Sequence, residues 1–175
     1  IACTIAGNVT GQIMPWKELG ELCQSRNICM IADGAQACGI LPVSMSDGIN
    51  ILCTAGHKGL YGITGTGVLL TDGAFPLYPL MQGGTGSASA SPDQPDFLPD
   101  RLECGTLNVI GAASLQAGID FVKSRTGEML YRPADGTAAA KGKPVVYCIL
   151  QLAGIRPGHS ALSGAGCFVC TDCFV

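Results

Sequence analysis

The 175-residue sequence lacks any cluster of basic residues: its ten lysines and arginines are spread along the chain, against thirteen aspartates and glutamates. The formal net charge at pH 7 is therefore -3. Because nucleic acid phosphates are bound by grouped lysines and arginines, this distribution argues against nucleic acid as a partner.

Long apolar segments are also lacking. The longest candidate, Val145 to Ile155, is too short to cross a bilayer and is interrupted by Gln151. We therefore expect a soluble protein with no membrane partner. The length favours one domain with one core, and two small domains are the less favoured alternative.

An initial methionine and a targeting segment are absent too, since the chain begins at Ile1 inside an apparent strand. We therefore expect a piece of a longer protein. No Gly-x4-Gly-Lys-Ser/Thr or Gly-x-Gly-x-x-Gly motif follows a strand and opens a helix, which excludes the P-loop and dinucleotide-binding classes.

The ten cysteines would suit a disulfide framework in a small secreted chain. Cys29, Cys38, Cys53 and Cys148 are instead flanked by apolar residues, a pattern typical of reduced thiols and of a cytoplasmic location. The last three cysteines, Cys167, Cys170 and Cys173, have metal-like spacing but no fourth partner, so we predict no metal site.

The first half predicts a strand, a helix and a second strand: Ile1 to Ile5, Pro15 to about Asn27, and Ile28 to Ala32. The continuous apolar character of the second strand predicts that both its faces are buried. Ligands bind at the carboxyl ends of strands in such sheets. We therefore expect Asn8, Asp33 and Lys58, each just after a strand, to converge on one edge.

Lys58 lies in a glycine-rich turn between two further predicted strands, Ile49 to Cys53 and Gly67 to Thr71. Gly56, Gly59 and Gly62 have no Cβ, so a planar ligand can approach the backbone there. Lysine amines form Schiff bases with aldehydes, and burial or a nearby cation favours their neutral, nucleophilic form. The alternative is an ordinary surface lysine in a turn.

The second half contains a long loop from Gln82 to Asp100, which is functional or disordered at this length. A helix follows from Val109 to Arg125, with Asn108 as its cap. Its predicted apolar stripe consists of Ile110, Ala113, Leu115, Ala117, Phe121 and Val122. We predict a partial cofactor-binding domain over residues 1–130 and a divergent tail of uncertain fold over 131–175.

Asp33, Gln36 and Lys58 together suit one cofactor. Pyridoxal phosphate needs a lysine for its aldehyde, a carboxylate for its ring nitrogen, and donors for its ring oxygen and phosphate. Without Lys58, a solvated Asx turn or a helix cap would be the preferred explanation of Asp33.

Five segments, in order, resemble successive blocks of the class V aminotransferase superfamily, and the match is closest to its cysteine desulfurase and selenocysteine lyase branch. The segments are Asn8-Val-Thr-Gly, Asp33-Gly-Ala-Gln-Ala-Cys-Gly-Ile-Leu-Pro42, Ala55-Gly-His-Lys-Gly-Leu-Tyr-Gly-Ile-Thr-Gly-Thr-Gly67, Gly83-Gly-Thr-Gly-Ser87 and Glu103-Cys-Gly-Thr-Leu-Asn108. The resemblance implies an α/β fold of the type I pyridoxal phosphate-dependent transferases, with a mostly parallel sheet flanked by helices, incomplete at both ends. It also implies a homodimer.

The resemblance implies a role for each matching residue. Lys58 would hold the cofactor as a Schiff base, and Asp33 would pair with the ring nitrogen. Gln36 would donate to the ring oxygen, His57 would help to bind the phosphate, and Asn8 would lie near the ring oxygen and the substrate.

The family also implies a hydroxyl that reaches the phosphate bound by the other subunit. Thr85 is the predicted residue, with Ser87 or Ser89 as alternatives. The family usually has Ser or Thr three residues before the lysine, where this chain has Ala55 with Thr54 one place further back. We therefore expect weakened binding of the phosphate.

The activity implied is sulfur transfer from L-cysteine, giving alanine and a persulfide that a sulfur-acceptor protein can receive. We expect this chain alone to be inactive, because a carboxylate-binding arginine and a cysteine nucleophile are not recognisable in it. The alternatives are another amino acid substrate, such as selenocysteine or an amino group donor, and an inactive truncated product.

Overall fold

The structure, a computed structural model, describes residues 1–84 and 87–125. In chain order, its elements are β1 (Ala2–Thr4), α1 (Trp16–Ser25), β2 (Ile31–Asp33), β3 (Ile51–Ala55), β4 (Gly67–Thr71) and α2 (Val109–Ser124), with a short 3-10 helix (Met45–Asp47) before β3. The predicted tail over 131–175, with its apolar segment and its last three cysteines, lies outside the described residues.

The four strands form one sheet in the order β1-β2-β3-β4. The first three strands are parallel, and β4 pairs with β3 in the antiparallel direction, from Ile51 opposite Thr71 to Ala55 opposite Gly67. The prediction of a mostly parallel α/β sheet with helices is confirmed, as is the turn that leads from the lysine segment into β4.

Strands β2 and β3 begin later than the apolar runs predicted. The Ile28 amide still donates to the carbonyl of Cys23 in α1, at 2.9 Å. Similarly, the Ile49 amide donates to Met45 of the 3-10 helix, at 3.3 Å. These backbone groups are already paired, so they do not join the sheet. At the other end of β2, the Asp33 carbonyl accepts a hydrogen bond from the Ile5 amide at 2.9 Å, which makes Asp33 its last residue.

The core lies on one face of β2. Ala32 is fully buried in a cluster that includes Cys23 of α1, Leu52 of β3 and Ile119 of α2. On the opposite face of β2, Ile31 is 39% exposed and Asp33 is also exposed. The prediction that this strand is buried on both faces is therefore wrong, because the described residues cover one face only.

Helix α2 begins where the sequence predicts. The Asn108 side chain accepts a hydrogen bond from the Gly111 amide at 2.9 Å, which confirms the predicted cap. Leu115 and Val122 are buried as expected, whereas Ile110 is 79% exposed and Phe121 is 42% exposed. Ala113 and Ala117 are exposed as well, so the predicted stripe is wrong at four of its six positions. Neither helix in the described ranges is long and apolar enough to cross a membrane.

Six cysteines fall in the described ranges, and none of them forms a disulfide there. Cys23 and Cys38 are buried, and the others are half-buried.

Glu103 provides a testable pH dependence. Burial, reinforced by the neighbouring Asp100 carboxylate, raises its pKa to about 7 from an ordinary value of 4.5. Between these two values the folded chain keeps a proton that the unfolded chain releases, so stability falls as pH rises through this window. Because Glu103 is half exposed, we expect the change to be limited to about 2–4 °C in Tm, equivalent to ~1 kcal/mol.

Glu103→Gln, which stays neutral, should remove this dependence. Thermal unfolding at pH 5 and at pH 7.5 measures the effect, with unsubstituted protein as the reference. A Tm difference between the two pH values that is identical in both proteins would contradict the assignment.

Candidate active site

Three loops meet at the edge of the sheet where β1, β2 and β3 end. The strand register places Thr4, Asp33 and Cys53 side by side in the row at this edge. Thr4 and Asp33 are exposed and Cys53 is half-buried. The structure therefore offers an open row of side chains at the predicted ligand-binding edge.

The loops after β1 and β2 are joined through two amide side chains. Gln36 Nε2 donates a hydrogen bond to Asn8 Oδ1. Asn8 is exposed and Gln36 is half-buried. Two of the predicted site residues are thus in direct contact.

The Asp33 carboxylate begins the turn that carries Gln36. Its Oδ1 accepts a hydrogen bond from the Ala35 amide at 2.9 Å, which is an Asx turn. Within the described residues its Oδ2 has no hydrogen-bond partner. Asp33 therefore combines the turn role predicted as the alternative with one carboxylate oxygen that remains available.

Lys58 lies in a loop that begins directly after β3 and is closed by its own backbone. The Gly62 amide donates to the carbonyl of Gly56 at 2.8 Å, and the Tyr61 amide donates to that of Lys58 at 3.0 Å. The side chains of His57 and Lys58 are exposed. Neither has a hydrogen-bond or ion-pair partner in the part of the chain that the structure describes.

The Lys58 loop crosses the turn after β2 at two glycines. A Cβ on Gly39 would overlap the carbonyl oxygen of Gly59, and a Cβ on Gly59 would overlap that of Cys38. Gly39 also has φ +84°, a conformation that residues with a Cβ rarely adopt. This crossing holds the loop of Lys58 against the turn of Asp33 and Gln36.

Replacing Gly39 by alanine should therefore be severely destabilising. The overlap with backbone and the positive φ should together cost about 3 kcal/mol or more in the free energy of unfolding. Gly73→Ala is the matched control, because Gly73 has φ +76° with nothing within 4 Å of its Cβ position. The control should lose only the ~1–2 kcal/mol of backbone strain, and equal losses in urea unfolding would contradict the crossing.

Helix α2 supports the lysine loop from its other side. Ser114 Oγ accepts a hydrogen bond from the Ile63 amide at 3.2 Å. The rings of Tyr61 and Phe121 pack edge to face, with centroids 5.2 Å apart. The loop is therefore fixed by its own hydrogen bonds, by the glycine crossing and by α2.

The hydroxyl of Thr54 has a structural role. Thr54 is buried, with 2% of its surface exposed. Its Oγ1 donates a hydrogen bond to the carbonyl of Gly34, the residue directly after β2, at 3.2 Å. It therefore does not replace the hydroxyl that Ala55 lacks. Thr85 lies outside the described residues, and its alternatives Ser87 and Ser89 are exposed.

Cys53 is a member of the edge row that the sequence interpretation did not assign to the site. Burial raises the pKa of its thiol, and the charge of Asp33 adds to that rise. The thiol therefore stays protonated and is a weak nucleophile beside Asp33. The period-two alternation that places Ile31 and Asp33 on one face would have identified this row from the sequence.

The described ranges contain no group of three or more His, Cys, Asp or Glu side chains arranged to hold a metal ion. The site is instead an amine, a carboxylate and two amides on three neighbouring loops. A lysine amine can form a Schiff base with an aldehyde, and a carboxylate and amides beside it can form hydrogen bonds with a polar ligand.

Comparison with known proteins gives a consistent result. The family model described as Aminotransferase class-V matches residues 1–135. A probable cysteine desulfurase of Methanothermobacter thermautotrophicus is 34% identical over 128 residues, which are 70% of this chain and 32% of that protein.

Solved structures agree with the sequence matches. The apo cysteine desulfurase of Thermococcus onnurineus is 30% identical with a TM-score of 0.59, over 74% of this chain and 33% of that one. The cysteine desulfurase CsdA of Escherichia coli is 26% identical with a TM-score of 0.58, over 70% of this chain and 32% of that one. The chain thus spans about a third of the length of the relatives that it matches.

Proposed function

This chain belongs to the class-V aminotransferase family, and on that premise we propose that it carries the cofactor site of an enzyme that uses pyridoxal phosphate. The observation that supports this most is the crossing of Gly39 and Gly59. It brings an exposed lysine to the same edge as a carboxylate and two amides.

The residues present fit this cofactor. Lys58 offers an exposed amine, Asp33 keeps Oδ2 available, and Gln36 keeps one of its two N–H groups. When bound, pyridoxal phosphate supplies an electron sink that stabilises negative charge on the substrate carbon beside the amino group.

Each residue has a distinct task in this proposal. Lys58 would hold the cofactor through its aldehyde, and its Nζ, when free, would accept and return the proton of the substrate α-carbon. Asp33 Oδ2 would accept a hydrogen bond from the protonated ring nitrogen and would keep the proton there. Gln36 Nε2 donates to the ring oxygen, beside Asn8.

The phosphate would be held by His57, and by a hydroxyl that the other subunit of a homodimer contributes. Thr85 is the residue proposed for that hydroxyl. Because the turn before Lys58 has Ala55 and the Thr54 hydroxyl is bonded to Gly34, one donor to the phosphate is missing on this side. We expect a lower phosphate affinity for that reason.

The substrate proposed is L-cysteine, since the relatives are named cysteine desulfurases. A cysteine thiolate, which is not recognisable in this chain, would attack the substrate sulfur: the S–S bond of a persulfide forms as the Cβ–S bond breaks, and the carbon keeps the electron pair and takes a proton to give alanine. The persulfide would pass its outer sulfur to an acceptor protein in the cytoplasm. No described residue is proposed to contact the side chain of the substrate. The test must therefore distinguish L-cysteine from another amino acid substrate, and an active enzyme from an inactive truncated product.

The test is to incubate the protein that carries this chain with pyridoxal phosphate, dithiothreitol and L-cysteine, and to measure sulfide and alanine. Equal amounts of both are expected, and L-selenocysteine in parallel measures the competing substrate. Keto acid without sulfide would identify an aminotransferase instead. The 175-residue chain alone should release no sulfide above free pyridoxal phosphate.

A further inference from the structure

The ring of Phe121 on α2 packs edge to face against the ring of Tyr61, in the loop that carries Lys58. The ring centroids are 5.2 Å apart, and both side chains are exposed. Resting on the function proposed above, we propose that Phe121 is a positioning residue for Lys58. It acts through Tyr61, whose backbone closes the turn that presents the lysine.

The backbone of Tyr61 adopts a costly conformation. Its φ is +58°, in the left-handed region that residues with a Cβ rarely adopt. The Tyr61 amide donates to the carbonyl of Lys58 at 3.0 Å, and the Gly62 amide donates to that of Gly56 at 2.8 Å. The φ and ψ angles of Tyr61 set the direction of the Gly62 amide, so this conformation closes the loop. Such a conformation persists only where neighbouring contacts hold it.

Helix α2 supplies contacts to both the backbone and the side chain of Tyr61. A Cβ on Gly118 would overlap the carbonyl oxygen of Leu60, and it would lie 2.8 Å from the carbonyl carbon of Tyr61. About one helical turn further on, the ring of Phe121 packs against the ring of Tyr61. The Arg125 guanidinium lies 5.3 Å from the centre of the Phe121 ring, which restricts the movement of that ring.

The ring contact is the part of this support that can be removed without opening the core, because both rings lie at the surface. An edge-to-face pair is strong enough to shift a local opening equilibrium about two- to tenfold. Without the Phe121 ring, the turn should open more often while the chain stays folded. The Lys58 amine would then lie less often beside Asp33 and Gln36.

The first experiment needs no cofactor. In the ¹⁵N-labelled 175-residue chain, Phe121→Leu, which keeps an apolar side chain without a ring, should speed hydrogen exchange of the Tyr61 and Gly62 amides about two- to tenfold. Phe121→Tyr, which keeps a ring, should leave their exchange unchanged. The Gly111 amide, bonded to Asn108 Oδ1 at the other end of α2, is the internal reference and should exchange equally in all three proteins.

The second experiment follows the attachment of pyridoxal phosphate in the protein that carries this chain. In this step the Lys58 amine and the aldehyde form a C=N bond and release water. Borohydride quenching at timed intervals measures the rate, which Phe121→Leu should lower about two- to tenfold. Binding of pyridoxine phosphate, which has an alcohol in place of the aldehyde, should be unchanged, because it forms no bond with the lysine.

Tyr78→Leu is the matched control in both experiments. Tyr78 is also an exposed ring, with the Arg101 guanidinium 5.6 Å from its centre, but it lies in the segment after β4. Its removal should change neither the exchange of the Tyr61 amide nor the rate of attachment to Lys58.

A double variant tests whether Phe121 acts through Tyr61. Tyr61→Leu combined with Phe121→Leu should attach pyridoxal phosphate no more slowly than Tyr61→Leu alone. A further loss in the double variant, unchanged amide exchange in Phe121→Leu, or a parallel loss of pyridoxine phosphate binding would each overturn the proposal. Failure of the proposed function would look different: no pyridoxyl group would form on Lys58 in the unsubstituted protein, yet the Tyr61 amide would still respond to Phe121→Leu. That result would overturn the cofactor role of Lys58 but support its positioning by α2.

Discussion

Borohydride reduction in the presence of pyridoxal phosphate is expected to leave a pyridoxyl group on Lys58. The Lys58 amine is exposed at the edge where Asp33 and Gln36 also lie, and in the described part of the chain no other group occupies it. Lys58→Ala would remove both the proposed covalent attachment and the group proposed to move the proton. Turnover should therefore fall by at least ~10²–10⁴-fold. Peptide mapping after reduction measures the attachment directly.

Lys17→Ala is the matched control for Lys58→Ala. Lys17 lies on α1, where its amine is 3.8 Å from Asp47 Oδ1 and 5.6 Å from the centre of the Trp16 ring. Its removal should leave the labelling of Lys58 and the turnover unchanged. A pyridoxyl group on Lys17 or Lys123 in place of Lys58 would end the assignment of the cofactor lysine.

The sequence predicted element ends well where a glycine or a capping residue marks them. Strand β4 has the predicted ends, Gly67 and Thr71, and α2 begins after Asn108 as expected. Strands β2 and β3 start two or three residues later than their apolar runs. The cause is tertiary: the Met30 amide, inside the predicted strand, donates to the side chain of Asn50, 20 residues away.

The sequence could predict those parts of the candidate site in which the residue type determines the possible chemistry. A lysine between small residues and an aspartate at a strand end can be identified from the sequence. The crossing of Gly39 and Gly59 could not, since it depends on the path of two loops in space. The exposed face of β2 was missed for a related reason, because a continuous apolar run does not say how much of the sheet the same chain covers.

Asp33→Asn is expected to slow turnover by ~10²-fold or more while leaving attachment of the cofactor to Lys58 intact. Asparagine keeps the oxygen that accepts from the Ala35 amide, so the turn after β2 is preserved. It loses the negative charge that is proposed to hold a proton on the ring nitrogen, and removal of a preorganised charge partner has effects of this size. The comparison is therefore between labelling of Lys58, which should persist, and steady-state sulfide release, which should fall.

The chain supplies a close control in Asp72, which follows β4 at the opposite edge of the sheet. Asp72 Oδ1 accepts from the Ala74 amide at 2.9 Å in the same kind of turn, and its Oδ2 accepts from Asn50 Nδ2 at 2.7 Å. Asp72→Asn should lower stability through the lost contact with Asn50 but leave turnover per folded molecule unchanged. Near-normal turnover in Asp33→Asn would show that another residue faces the ring nitrogen, whereas equal losses in both variants would mean that the turns contribute only to folding.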